Sequence, residues 1–370
     1  MWYTCRRKLT QKGRSFLKAV GRVILSAIFL ALTGLMVAFA NYAPKLVFAF
    51  YPAWSRKMLA GISSVTSQLP IALWEVLLVL IVLWVIYTLI RVFTRKKGIL
   101  KWLTGILLGV SVGLFLFVGL WGLNHYGPGV GENLGLDVRE YSKEELIAAT
   151  RYYGAQVSGL ADSVSRDEQG RARLGEFTVL AKQAGEGYEK LARRCEQFTG
   201  SPDPVKPLAS WKLFSKMGNT GIFICFTGES CVNPDTYEAW IPFTMCHEIG
   251  HRQAVAAEDE ANFCAYLACM ENDAVQFRYS GAFAAFIYCN NALAGVDSSA
   301  AQAIWSEVAP EVLTDARAAN EHYAQYEGKV QDVAQKVNDA YLKAFSEESG
   351  VQSYGEVTDL LIAWYLQNKA

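Results

Sequence analysis

Acidic residues are almost missing from the first third of this chain. Positions 1–124 carry 15 of its 35 Lys and Arg residues and a single carboxylate, Glu75. The other 20 bases are outnumbered by 34 acids, so formal neutrality hides a basic front and an acidic rear. A basic tract usually suggests nucleic acid, but this one is interleaved with long apolar runs, which excludes that reading. Residues 23–40, 71–90 and 102–123 are each long enough to cross a hydrocarbon core as a helix, and only the second contains a charge, Glu75. Internal repeats and low-complexity segments are also lacking, which excludes a solenoid or a compositionally biased linker. Histidine is scarce, with four in the chain, so any two that stand close together carry weight.

Three spans make the expected anchor, and the Lys/Arg pattern sets its direction. Arg6, Arg7, Lys8, Lys12, Arg14, Lys18 and Arg22 precede the first run; Arg91, Arg95, Lys96, Lys97 and Lys101 lie between the second and third; only Lys45, Arg56 and Lys57 lie between the first and second. The positive-inside rule then predicts a cytoplasmic amino terminus and places residues 125–370 outside the cell membrane. The first run could instead end as a leader at Ala38-Phe39-Ala40, but its apolar stretch is longer than leaders use. Phe48, Phe50, Tyr51 and Trp54 suit a segment lying at the membrane interface, and loop packing explains them equally well. The expected division is a membrane domain over 1–124 and an extracytoplasmic domain over 125–370.

Two of the four histidines fall in His247-Glu248-Ile249-Gly250-His251. Residues four apart share one face of a helix, so both imidazoles can reach one metal while Glu248 is positioned as the base for the water such a metal activates. A catalytic zinc needs a third protein ligand and an open position. The nearest carboxylates are Glu258, Asp259 and Glu260. On one unbroken helix Glu258 would lie roughly 10 Å beyond His251, too far to share an ion. The chain must therefore bend between Arg252 and Ala257, or the ligand lies elsewhere. Ala254 and Ala257 occupy the positions where a metzincin carries Gly and His, so that class is excluded.

Glu258-Asp259-Glu260-Ala261-Asn262 resembles the second-helix pattern of gluzincin zinc peptidases, closest to the form in membrane metallopeptidases of the prenyl-protease and heat-shock type. That resemblance implies Glu258 as the third ligand, Glu260 as the alternative, one Zn2+ ion, and Asn262 orienting an imidazole from behind. The wider chain resembles the domain of unknown function 3810 family. The resemblance rests on Phe226-Thr227-Gly228-Glu229, Pro242 to Glu248, Glu258 to Phe263, Ser353-Tyr354-Gly355 and Asp359-Leu360-Leu361. It implies a glycine near position 254, where this chain has alanine.

Around these motifs the outer domain reads as predominantly helical with a small sheet. Expected elements are helices over 143–164 and 174–198, a strand over 221–226, the motif helix from Pro242 to about Arg252, a helix over 258–271, and further helices over 276–293, 300–308, 310–344 with breaks, and 357–367. Ser142 with Glu145 is the signature of a capping box. The strand suits an extended substrate held along its edge, or plain sheet structure. Cys225 and Cys231 can close a small loop, whereas Cys264 and Cys269 read as buried apolar residues. His322, Tyr323, Arg278 and Tyr279 are donors for an oxyanion by residue type alone, and Glu229 is a candidate anchor for a substrate amine. The fold class expected is a three-helix membrane anchor plus an α+β domain resembling gluzincins. The function expected is a membrane-anchored zinc metalloendopeptidase hydrolysing peptide or amide bonds outside the cytoplasmic membrane, with a peptide or protein substrate and the lipid bilayer as partners. The alternative is a non-catalytic zinc-fold peptide receptor.

Overall fold

The computed structural model describes residues 2–94, 98–344 and 357–368. The side chains of residues 2–15, 342 and 344 are not described. Arg95, Lys96 and Lys97, and the Ser353-Tyr354-Gly355 segment, lie outside the described residues. The protein is mostly helical. In chain order the first helices are α1 (Trp2–Tyr42), α2 (Pro44–Phe48), α3 (Tyr51–Thr66), α4 (Leu73–Thr94), α5 (Ile99–Leu120), α6 (Val130–Asn133) and α7 (Lys143–Ala161). A two-residue hairpin, β1 (Ser165–Arg166) and β2 (Ala172–Arg173), is followed by α8 (Phe177–Gln183) and α9 (Glu186–Leu191). Next come β3 (Lys206–Pro207), α10 (Trp211–Met217), β4 (Gly221–Ile224) and β5 (Glu229–Val232). The remainder is helical: α11 (Ile241–Arg252), α12 (Glu258–Glu271), α13 (Val275–Val296), α14 (Ser298–Glu307), α15 (Pro310–Ala324), α16 (Lys329–Ala344) and α17 (Val357–Asn368).

Two compact units emerge. One comprises Met1–Ala49 with Trp74–Leu123; the other comprises Phe50–Leu73 with Asn124–Ala370. Within the first, α1 packs along α5. Three helical stretches, Phe16–Tyr42, Leu73–Thr94 and Ile99–Leu120, are long and apolar enough to cross a membrane. The expected boundary at residue 124 nearly coincides with one boundary of the units, but α3 and the loop after it belong with the larger unit.

In the larger unit the core is built by α7, α11, α12 and α13, joined by α17. Ser142 caps α7 as its spacing predicts: its hydroxyl accepts the Glu145 N–H while Glu145 accepts the Ser142 N–H. The single helix expected over 174–198 is broken at Gly185. Close packing requires glycine beside the break, because a Cβ on Gly185 would lie 2.1 Å from the Pro202 carbonyl oxygen and one on Gly187 1.9 Å from that of Ala268. The sheet has order β3-β5-β4, with β4 and β5 antiparallel and β3 parallel to β5. The expected strand is present as β4, at the sheet edge. Its partner β5 was not foreseen, because Glu229-Ser230-Cys231-Val232 buries all four side chains rather than alternating. Cys225 and Cys231 are not bridged; both are buried free thiols.

Candidate metal centre

The motif helix α11 has Pro242 in its first turn, where a missing N–H costs nothing. Every residue of α11 is buried except His247, which is partly so. Position 250 is tight against α9 rather than α12: a Cβ there would lie 3.0 Å from the Tyr188 hydroxyl and an ordinary 3.6 Å from the Ala261 carbonyl oxygen. Alanines 261, 265 and 268 on α12 are fully buried.

The required bend lies where the sequence demands it. Residue 254 adopts φ 65°, the left-handed conformation. Around it the N–H of Val255 donates to the Gly250 carbonyl at 3.3 Å and that of Ala254 to the His251 carbonyl at 3.1 Å. These two bonds form a Schellman cap, which normally employs glycine at the left-handed position. Alanine there costs about 1 kcal/mol of backbone strain, a cost the surrounding packing sustains. The turn also orients a ligand, since the Val255 carbonyl accepts from His251 Nδ1 at 2.9 Å. The proton of neutral His251 is therefore on Nδ1, and Nε2 keeps its lone pair. On the other imidazole, His247 Nδ1 bonds Asn262 Oδ1 at 2.8 Å.

The outward-facing atoms converge. His247 Nε2 and His251 Nε2 are 3.1 Å apart; Glu258 Oε2 is 3.2 Å from the former and Oε1 3.7 Å from the latter. Ligand atoms at zinc distances on a tetrahedron are separated by about 3.3 Å, so the three side chains match the spacing of a single ion. Three electron-rich atoms crowded together repel each other unless a cation lies among them. Among the described residues this trio alone forms a cluster able to hold a metal.

Glu260, the alternative ligand, is directed away from the trio. Its carboxylate accepts the Val130 N–H at 2.6 Å, and Gly129 leaves it room, since a Cβ there would lie 2.4 Å from that oxygen. Two residues along a helix rotate a side chain by about 200°, which separates Glu258 from Glu260. Cys246 points away as well, toward the Ala184 carbonyl at 3.7 Å.

Glu248 is buried beside the trio under β4. A Cβ on Gly221 would come within 2.3 Å of its Oε1, and its Oε2 has no hydrogen-bond partner among the described residues. Burial, reinforced by the Glu258 charge, pushes the Glu248 carboxyl up to about 8. Burial pulls the His251 imidazole down to about 4. Glu258, despite burial, is held down at about 2 by the two imidazoles. His247 is disfavoured as a cation by burial, yet its bond to Glu258 raises it above the ordinary value. These values describe the protein without metal.

Two neighbours were not foreseen. His125, in the turn after α5, is near enough for its charge to act on Glu258 and His251, and its Nε2 meets the Tyr341 hydroxyl at 3.3 Å. Tyr288 on α13 packs on Trp240 and Phe243, and its phenol is pushed up by burial and by the Glu258 charge. Neither lies near the motif in sequence, and residue type alone does not single them out.

Of the expected donors, Tyr279, His322 and Tyr323 are directed elsewhere, and the buried Nε of Arg278 has no hydrogen-bond partner among the described residues. Tyr279 bonds Asp315 and accepts from Arg166 at 3.2 Å, in a buried network. His322 Nε2 lies 3.7 Å from Asp235, and the Tyr323 hydroxyl accepts the Tyr237 N–H at 3.4 Å. Glu229, the candidate substrate anchor, is corrected to a structural role. It is buried and accepts from Lys206 Nζ at 2.6 Å and from the Leu73 N–H at 2.8 Å.

The architecture defines a predominantly helical protein with three membrane-length helices and a buried His-His-Glu cluster. The family model for a protein of unknown function (DUF3810) matches residues 49–362, and the chain belongs to that family. No curated protein and no solved structure matches it.

Proposed function

We propose that this protein is a membrane-anchored, zinc-dependent metallopeptidase that hydrolyses peptide or amide bonds outside the cytoplasmic membrane. The observation that carries the reading is the convergence of His247, His251 and Glu258 at the spacing of one ion, with the unpartnered Glu248 carboxylate beside them. This is the gluzincin arrangement of ligands and base. Zinc held there would supply Lewis-acid activation of water and carbonyl.

The protein's own residues divide the remaining work. Asn262 and the Val255 carbonyl hold the imidazoles in the tautomer that presents Nε2. Glu248 accepts a proton from the attacking water as its oxygen bonds the carbonyl carbon, then hands that proton to the departing nitrogen as the C–N bond breaks. The net change is addition of water across one amide. A base buried in an apolar wall beside a cation has a proton affinity that can be tuned toward neutrality. Tyr288, whose hydroxyl stays protonated, is the donor type required for the developing oxyanion. β4 is an edge strand of its sheet and packs over Glu248 at Gly221, an element suited to an extended chain bound through backbone hydrogen bonds. The Lys/Arg distribution supports an external position for this unit.

The test is direct. The purified full-length protein is expected to carry one zinc per chain and to cleave a mixed peptide library, while Glu248→Gln keeps the zinc and loses cleavage. Undiminished cleavage by Glu248→Gln rejects the assigned base. Zinc retention by a wild-type protein that cleaves nothing favours a peptide receptor.

A further inference from the structure

Helix α3 leaves a stripe of large apolar side chains uncovered. Its buried face carries Ser55, Arg56, Ser63 and Thr66 beside Tyr51 and Leu59, whereas Phe50, Trp54, Met58 and Val65 are 58%, 43%, 40% and 71% exposed. The four exposed residues follow the i, i+4, i+8, i+15 spacing of one stripe, and Lys57 flanks it. Such a stripe on a helix with polar contacts beneath it calls for an apolar medium on its outer side. Chain length identifies that medium. Tyr42 ends one membrane-length helix nine positions before Tyr51, and Leu73 begins another seven positions after Thr66. At about 3.5 Å per residue the two tethers reach no farther than about 32 and 25 Å, so α3 is confined to the vicinity of the bilayer surface from both ends.

The buried face of α3 is fastened to the motif helix. Arg252, the residue after the second histidine and 1% exposed, donates to Ser63 Oγ at 3.3 Å and to the carbonyls of Ser201 and Asp203. Lys206 Nζ reaches the carbonyls of Thr66 and Ile71 at 2.7 and 2.9 Å while paired with Glu229. Thr66 Oγ1 donates to the Thr227 carbonyl at 2.9 Å, and Gly228 admits the α3 backbone, since a Cβ there would lie 2.9 Å from the Ser63 nitrogen.

We infer that α3 lies on the lipid bilayer through Phe50, Trp54, Met58 and Val65 and, through Arg252 and Lys206, holds the His-His-Glu site at the membrane surface, so that the substrates are the membrane-proximal segments of lipid- or helix-anchored polypeptides. The substrate part rests on the metallopeptidase reading and on the three apolar helices crossing a bilayer; the placement of α3 rests on the second alone.

The test uses the full chain in phosphatidylcholine/phosphatidylglycerol vesicles. A nitroxide is attached at Met58→Cys, in a background with Cys5→Ser and Cys195→Ser, and compared with one at Glu168→Cys in the exposed β1–β2 turn. Position 58 is expected to be relaxed by dissolved oxygen and shielded from a water-soluble nickel chelate, with position 168 the opposite. Equal nickel access at both positions overturns the placement, and so does spin–spin broadening at 58, which would mean a second copy covers the stripe. In the same vesicles a peptide carrying a lipid anchor is expected to be cleaved at least about tenfold faster than the identical free peptide at equal bulk concentration. The triple change Trp54→Ser, Met58→Ser, Val65→Ser should remove that advantage and leave free-peptide cleavage unaltered; Met58→Ser alone, which disturbs folding least, should reduce it. Equal rates on both peptides with wild type overturn the substrate class. Cleavage of neither sinks the metallopeptidase reading and the substrate class with it, while the label at 58 still decides where α3 lies.

Discussion

Helices α3 and α11 belong to the same unit and touch through Arg252, yet they differ in what they leave uncovered. In α11 nearly every residue is buried, and His247 and His251 turn toward a point shared with Glu258 while Arg252 turns to Ser63. In α3 Ser63 and Thr66 turn inward as fasteners beside buried Tyr51 and Leu59, and Trp54, Met58 and Val65 are left exposed. Helical geometry is the same in both; what differs is which side chains are covered, and the uncovered stripe of α3 is what the inferred contact with lipid rests on.

That contrast can be broken at several points, and the largest effect belongs to the chemistry. Glu248→Gln should lower kcat by about 10³-fold or more with zinc content unchanged by metal analysis, because only proton transfer is removed. The fasteners come next. Lys206→Met leaves Glu229 buried without its cation and is expected to destabilise the larger unit by about 3–5 kcal/mol, read as a lowered midpoint in thermal unfolding. Combining it with Glu229→Leu should recover much of that loss, because the cost lies in the unpaired charge; equal loss in the single and the double change would show that packing, not pairing, holds α3. A smaller effect is expected behind the imidazoles. Asn262→Ala should weaken zinc affinity about 10–100-fold in a chelator competition, and Asn262→Asp should strengthen it. The smallest concerns the bend: Ala254→Gly relieves left-handed strain and should stabilise by at most about 1 kcal/mol, part of it offset by the greater freedom of glycine in the unfolded chain. A destabilised Ala254→Gly would mean that the methyl group's packing outweighs the strain.

Much of the fold was legible because its signals are local. Apolar length marks the three membrane-length helices, Pro242 and Pro310 open helices where they stand, and the predicted 258–271 helix matches α12 at both ends. Local signals fail where packing decides. Nothing within residues 174–198 alone forces the break at Gly185, where the chain packs against the Pro202 carbonyl, distant in sequence. β5 is hidden because its buried Glu229 and Ser230 are satisfied by partners far along the chain, Lys206 for the one and the Glu248 carbonyl for the other. The site divides the same way. His247 and His251 share a face by periodicity, but His125 and Tyr288 join their surroundings only through tertiary folding.

The sequence by itself determined which residues could serve as ligands and base, that a bend had to follow Arg252 for Glu258 to join the histidines, and which helices are apolar enough for a membrane, because each follows from spacing and hydropathy along one element. Only the tertiary structure brought Glu258 rather than Glu260 to the imidazoles, assigned Glu229 to a buried ion pair, and turned the apolar stripe of α3 outward. Those outcomes depend on which groups from distant segments compete for the same space and the same hydrogen bonds, and no local pattern encodes that competition.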